Sequence, residues 1–126
     1  MVIQVWGNPE RCDLEAMKVV LRRFMPAPPP GTPPPAQLWK PGVLEALATE
    51  AGLAPQHAFD TTWAHEFPDG ETLARAMMAP GGAGELVGPA QEETVKREVV
   101  AALAPCRTAN GGYRLVNDYH YLLARA

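Results

Sequence analysis

The chain has 126 residues, a formal net charge of -3 and a sequence pI near 5.6. Its eleven Lys and Arg are scattered, which argues against a nucleic-acid footprint, and no stretch approaches the length of a membrane span. At 13.6 kDa it suits one domain over residues 1–126, able to bury about two thirds of the surface its unfolded form exposes, so a core can form without metal or disulfide.

Val2 to Trp6 reads as a short buried strand that stops at the turn cluster Gly7-Asn8-Pro9. Met1 runs straight into it with no basic region, so no signal peptide is expected. Asp13 is placed to cap a helix whose Leu14, Met17, Leu21 and Phe24 recur on one face, with Glu15, Lys18, Arg22 and Arg23 toward water. Pro26 ends it. The Pro-rich loop 26–35 has φ fixed at most positions and few amide donors, so it is expected to be extended and exposed, a stiff connection or lid rather than an SH3 or WW ligand.

A second helix starts at Pro41, carries Val43, Leu44, Leu47, Ala48 and Ala51, and ends at Gly52. From Gln56 to Phe67 the chain alternates, with His57, Phe59, Thr61, Trp63, His65 and Phe67 on one face and mostly polar residues on the other, as expected near a sheet edge. Asp69 is placed to cap a short helix from Gly70 to Met78, and Pro80-Gly81-Gly82-Ala83-Gly84 breaks it. The last helix, about Ala90 to Ala104, sets Glu92 before Lys96 and Glu93 before Arg97 at favourable spacing.

Asn110-Gly111 turns the chain into the best strand signal it contains, Tyr113 to Ala124. Tyr113, Leu115, Tyr119, Tyr121 and Leu123 share one face, and Val116, Leu122 and Ala124 make the other apolar enough to be covered too. This strand is expected at the centre of the sheet.

Chemistry is harder to find. His57 and His65 share a strand face, but at about 3.3 Å per residue their α-carbons lie about 26 Å apart, which excludes a shared site with His120. His65 beside Glu66, or His120 near Asp118 on one face, would act singly as a base; packed or surface histidines are the simpler reading. Cys12 and Cys106 match no zinc spacing and read as reduced cytoplasmic thiols. Gly81, Gly82, Gly84 and Gly88 follow a helix and precede no Lys-Ser or Lys-Thr, so a mobile loop is preferred to a phosphate cradle. No catalytic, cofactor or metal residue is assigned by spacing alone.

Taken in order, Val-Ile-Gln-Val-Trp-Gly-Asn-Pro-Glu-Arg-Cys at 2–12, the proline run, Lys40 to Leu53, Phe67-Pro-Asp-Gly-Glu-Thr-Leu and Gly112 to Arg125 resemble the C-terminal half of class I S-adenosylmethionine-dependent methyltransferases. The resemblance implies an α/β fold: part of a doubly wound sheet, with the C-terminal strand central and antiparallel between Val2 to Trp6 and Gln56 to Phe67, and helices on both faces. It further implies that the family's glycine-rich donor loop and ribose-binding acid lie before the part resembled here, so that this chain alone binds no cofactor. The substrate side remains. Trp6, Gly7 and Asn8 follow the carboxyl end of the first strand, with Trp39 and the proline run as cover, and the acceptor is expected to be a small molecule. The expected function is the C-terminal portion of such an enzyme, inactive alone and completed by an N-terminal half. The alternative is a non-enzymatic binding module that forms a homodimer through its first strand.

Overall fold

The computed structural model describes residues 1–79 and 83–126. Among them the elements run β1 (Val2–Trp6), α1 (Glu15–Arg22), α2 (Val43–Glu50), β2 (Ala54–Phe67), α3 (Gly70–Met77), α4 (Glu92–Ala102) and β3 (Tyr113–Arg125). The strands form one antiparallel three-stranded sheet in the order β1-β3-β2, so the C-terminal strand is central, as its two apolar faces predict. Pro80, Gly81 and Gly82 of the glycine-rich loop lie outside the described residues; the chain resumes in a 3-10 turn, Ala83–Leu86. No described helix is long and apolar enough to cross a membrane.

The chain forms two compact units assembled from distant segments. One comprises Met1–Cys12, Pro33–Trp63 and Val116–Ala126. In it β1 pairs antiparallel with β3, with Val2 opposite Leu123, Ile3 opposite Leu122 and Trp6 opposite Tyr119. Strand alternation then sorts the side chains. Ile3, Val5, Leu122, Ala124 and Ala58 pack with Leu44 and Ala48 of α2. Gly52, at φ 83°, ends α2 in a Schellman turn: its N–H donates to the Thr49 carbonyl at 3.0 Å and the Leu53 N–H to the Ala48 carbonyl at 2.9 Å. Leu53 folds back onto the same apolar cluster.

The opposite face of this unit carries an aromatic row instead of a helix. Trp6 stacks on Tyr119 at 5.1 Å between centroids, Phe59 on Tyr121 at 5.1 Å and His57 on Phe59 at 5.6 Å. Val2, Trp6, Phe59 and Trp63 remain exposed. The apolar face expected of β2 is therefore real as a pattern, but Phe59 and Trp63 on it are not buried: β2 is an edge strand and α2 covers the other side.

The second unit comprises Asp13–Thr32 and Ala64–Leu115. Its core joins Val20 and Leu21 of α1, Leu73 of α3, Val95 and Val99 of α4, and Tyr113 and Leu115 of β3. Asp69 caps α3 as expected: its carboxylate accepts the Thr72 N–H at 2.7 Å, and that bond, ahead of the charge of Arg75, holds the carboxyl below its usual range. The N-cap position of α1 falls on Leu14, not Asp13, with no side-chain capping bond. On α4, Lys96 pairs with Glu92 at 2.8 Å as the spacing predicts and with Glu93 at 3.0 Å. Gly111 takes φ 85° in the turn before β3. Gly112 follows because any Cβ there would lie 2.7 Å from the Phe67 carbonyl oxygen.

Candidate functional site

The site is built around two buried polar residues that share one face of β3. Asp118 and His120 are 1 % and 5 % exposed in the middle of the central strand, on the face that carries Leu122 and Ala124. Burying a carboxylate is costly unless it is paired and hydrogen-bonded. Asp118 Oδ2 accepts the Asn8 N–H at 3.0 Å and sits 3.1 Å from the Arg11 guanidinium. The Asp118 carbonyl accepts the Gly7 N–H at 2.7 Å, and its N–H points at Cys12 Sγ at 3.3 Å. One residue of β3 thus clasps the whole turn that follows β1.

This explains Gly7. The residue is buried, and a Cβ would lie 2.7 Å from the Asp118 carbonyl carbon, so the position needs the absence of a side chain. Asn8 spends its side chain locally: its Oδ1 accepts the Glu10 N–H at 3.0 Å and starts the 3-10 turn Pro9–Arg11. That turn delivers Arg11 to Asp118.

His120, two residues on, reaches across to β2. Its Nδ1 is 2.6 Å from Asp60 Oδ1, and Arg11 stands 3.9 Å from Asp60 Oδ2. An ionised carboxylate only accepts, so Nδ1 carries the shared hydrogen, and in the neutral ring the lone pair is on Nε2. Among the described residues Nε2 has no hydrogen-bond partner, nor does the buried Oε2 of Glu45. Both residues line a cavity of about 390 Å³ together with Arg11, Asp60, Trp39 and Phe59, and Pro41 and Ala58 complete its wall. Larger grooves of about 620 and 590 Å³ lie in the other unit, along α3 and α4 and beside Thr108 to Tyr113, but among the described residues no buried unpartnered polar atom belongs to the wall of either. Chemistry favours the smaller cavity.

The residues expected to face a ligand are divided by this geometry. Trp39 lines the cavity, with Lys40 Nζ 5.8 Å from its ring centroid. Gly7 and Asn8 hold Asp118, which holds Arg11, so they act one step back from the cavity wall. Trp6 lies opposite Tyr119 in register, on the face of β3 turned away from His120. There burial, followed by the nearby Cys12 and Tyr121, pushes the Tyr119 phenol up. Arg11, Glu45 and Asp60 are absent from the sequence-based reading, and His120 with Asp118 is weighed there only as a base and set aside for a packed histidine. A signal for them existed: Asn117-Asp118-Tyr119-His120 interrupts an apolar strand, and polar residues at the centre of a sheet need partners on its neighbours. Among the described residues no group of three His, Cys, Asp or Glu is placed to hold a metal ion. The cavity wall carries the charged and hydrogen-bonding side chains of Arg11, Glu45, Asp60 and His120. No protein-family model and no curated protein matches the chain.

Proposed function

We propose that the chain is the substrate-side portion of a class I S-adenosylmethionine-dependent methyltransferase fold that acts on a small molecule. The observation that carries this reading is the sheet order β1-β3-β2, in which the last strand enters antiparallel between two earlier ones, the arrangement that the resemblance in sequence implies. The cavity is compatible with it: Arg11, at the end of the turn that follows β1, is part of its wall. No donor-binding glycine loop occurs in the 126 residues, so the chain alone does not catalyse.

Calorimetry with S-adenosylmethionine tests the reading. Binding is expected to be weaker than about a millimolar; a Kd at or below about a micromolar, near -8 kcal/mol, would overturn it by revealing a complete donor site.

A second reading, a homodimeric binding module, is favoured by one specific observation: β1 stands at the end of the sheet order and carries the exposed Val2 and Trp6. Edge strands with apolar residues and no lysine or proline template pairing with another chain. Light scattering at tens of micromolar is expected to give the mass of a dimer, reduced to that of a monomer by Val2→Lys, which charges an exposed position of the edge strand. A monomeric parent chain would eliminate this reading and leave the first intact.

A further inference from the structure

We infer that the aromatic face of the sheet in the first unit is a docking surface for the proline run of a second copy of the chain. This is independent of the methyltransferase reading, and the interface is a different one from pairing through β1.

Two features of the face select its occupant. First, it is uncharged and uncovered. From the Val2–Leu123 and Gln4–Tyr121 pairs across to Phe59 it holds no acid and no base. Trp6, Phe59 and Trp63 are 46, 41 and 57 % exposed. At about 150–250 Å² for a whole aromatic side chain, these three with Val2 and Leu123 leave about 400–500 Å² of apolar surface open, the size of patch that on a monomer is often functional.

Second, its stacked rings stand on edge. The planes of Phe59 and Tyr121 are 5° apart with centroids at 5.1 Å, and Trp6 lies against Tyr119 at the same distance; coplanar rings side by side would be farther apart. Their faces are taken up by one another, which leaves no platform for a flat sugar or base. What they turn outward is a ridge of ring edges, the positive rim of the aromatic quadrupole, and it suits an apolar partner whose polar atoms are acceptors.

The chain itself carries such a partner. Seven of the ten residues 26–35 are proline and none is an acid or a base, so carbonyl oxygens far outnumber N–H donors along the run. No cis peptide occurs among the described residues, and the fixed φ of trans proline holds the run in the extended polyproline conformation. A type II turn divides it into two arms: Gly31 takes φ 81°, and the Thr32 N–H donates to the Pro29 carbonyl at 3.1 Å. Pro26 to Gln37 are exposed, and none of them lines the cavities described above. Proline-rich segments dock on aromatic ridges at low cost because their conformation is set before they bind.

Area decides how two copies meet. Two aromatic faces laid on each other would bury about 400–500 Å² per partner, short of the roughly 800 Å² of a standard interface. Exchange of proline runs about a twofold axis makes two face-to-run contacts and brings each partner near that value. Neither surface has a charge to desolvate.

Light scattering over a concentration series tests this with substitutions remote from β1, since Val2 belongs to the edge strand and to the aromatic face alike. The triple variant Pro33→Ser, Pro34→Ser, Pro35→Ser lies outside every strand and helix, so its folding is not at stake; it is expected to move the monomer–dimer midpoint at least tenfold higher in concentration. Trp63→Ser is expected to do the same, with an unchanged far-ultraviolet circular dichroism spectrum. A synthetic peptide of residues 26–36, titrated into a Trp39→Phe chain, is expected to change the fluorescence of Trp6 and Trp63 saturably and to dissociate the dimer. A parent chain monomeric to hundreds of micromolar would overturn the inference, as would a peptide that leaves both tryptophans unchanged at millimolar concentration. A dimer as tight in the proline variant as in the parent would overturn it too, and would leave pairing through β1 as the interface.

Discussion

Leu122→Ala is expected to lower the stability of the chain by about 2–5 kcal/mol, the range for emptying a fully buried leucine site. Leu122 is 0 % exposed, sits opposite Ile3 in register, and packs among Leu44 and Ala48 of α2 with Val5, Leu53 and Ala58 around it. Those neighbours belong to a helix and to two other strands, so they cannot collapse into the space together, and the upper part of the range is favoured. Leu123→Ala provides the contrast. Its side chain is 36 % exposed on the opposite face, and the expected cost is below about 1 kcal/mol. Urea unfolding followed by circular dichroism reads both. Equal costs would show that strand parity had been misassigned. A Leu123→Ala cost that grows with protein concentration would mark the aromatic face as the interface of a dimer.

The contrast between these two neighbours also shows what the sequence carries and what it does not. Central placement of β3 is legible because Leu115, Leu122 and Ala124 put apolar groups on both faces of one strand, and only a strand with partners on each side can bury them. Helix ends are legible where the residue has one dominant conformational reason, as Gly52 and Asp69 do. Asp13 is a good N-cap by composition, yet the cap position falls on Leu14, because composition does not specify where the first helical turn closes. On β2 the alternation of Phe59, Trp63 and Phe67 is equally clear, but alternation reports only that two faces differ. Which face a helix will cover depends on where α2 is sent by the chain after the proline run, and nothing local to β2 encodes that.

The site was less legible than the fold. The turn at Gly7-Asn8 is signalled by its place after a strand end, and Trp39 only by the resemblance in sequence. Asp60, however, looks like one polar residue among several on a solvent-facing side, and His120 like a histidine with a nearby acid two residues away. They are brought together only by the pairing of β2 with β3, a contact across 60 residues of chain. Spacing arguments within one strand could exclude a metal site for the three histidines and could not see a pair formed between strands.

Asp118→Ala is expected to destabilise the chain by about 2–4 kcal/mol and to disorganise the cavity at the same time. A hydrogen bond to a charged group contributes about 1.5–3 kcal/mol, and Asp118 accepts one from the Asn8 N–H; the Arg11 pair adds less, since Arg11 is half exposed and screened by solvent. The lost carboxylate also leaves a void beside Gly7, whose lack of a side chain is fitted to it. Asp118→Asn keeps an acceptor for the Asn8 N–H and loses the charge, so about half of the cost is expected. The more informative consequence is at Arg11. Released from Asp118, its guanidinium has Asp60 as the nearest remaining acid, at 3.9 Å, and there it competes with His120 Nδ1 for the carboxylate. In Asp118→Asn, which should stay folded, the nuclear magnetic resonance signal of the Nδ1 hydrogen of His120 is therefore expected to move upfield and exchange faster with water. An unchanged signal would show that Arg11 is held by something other than Asp118, and that the turn after β1 and the His120–Asp60 pair are independent.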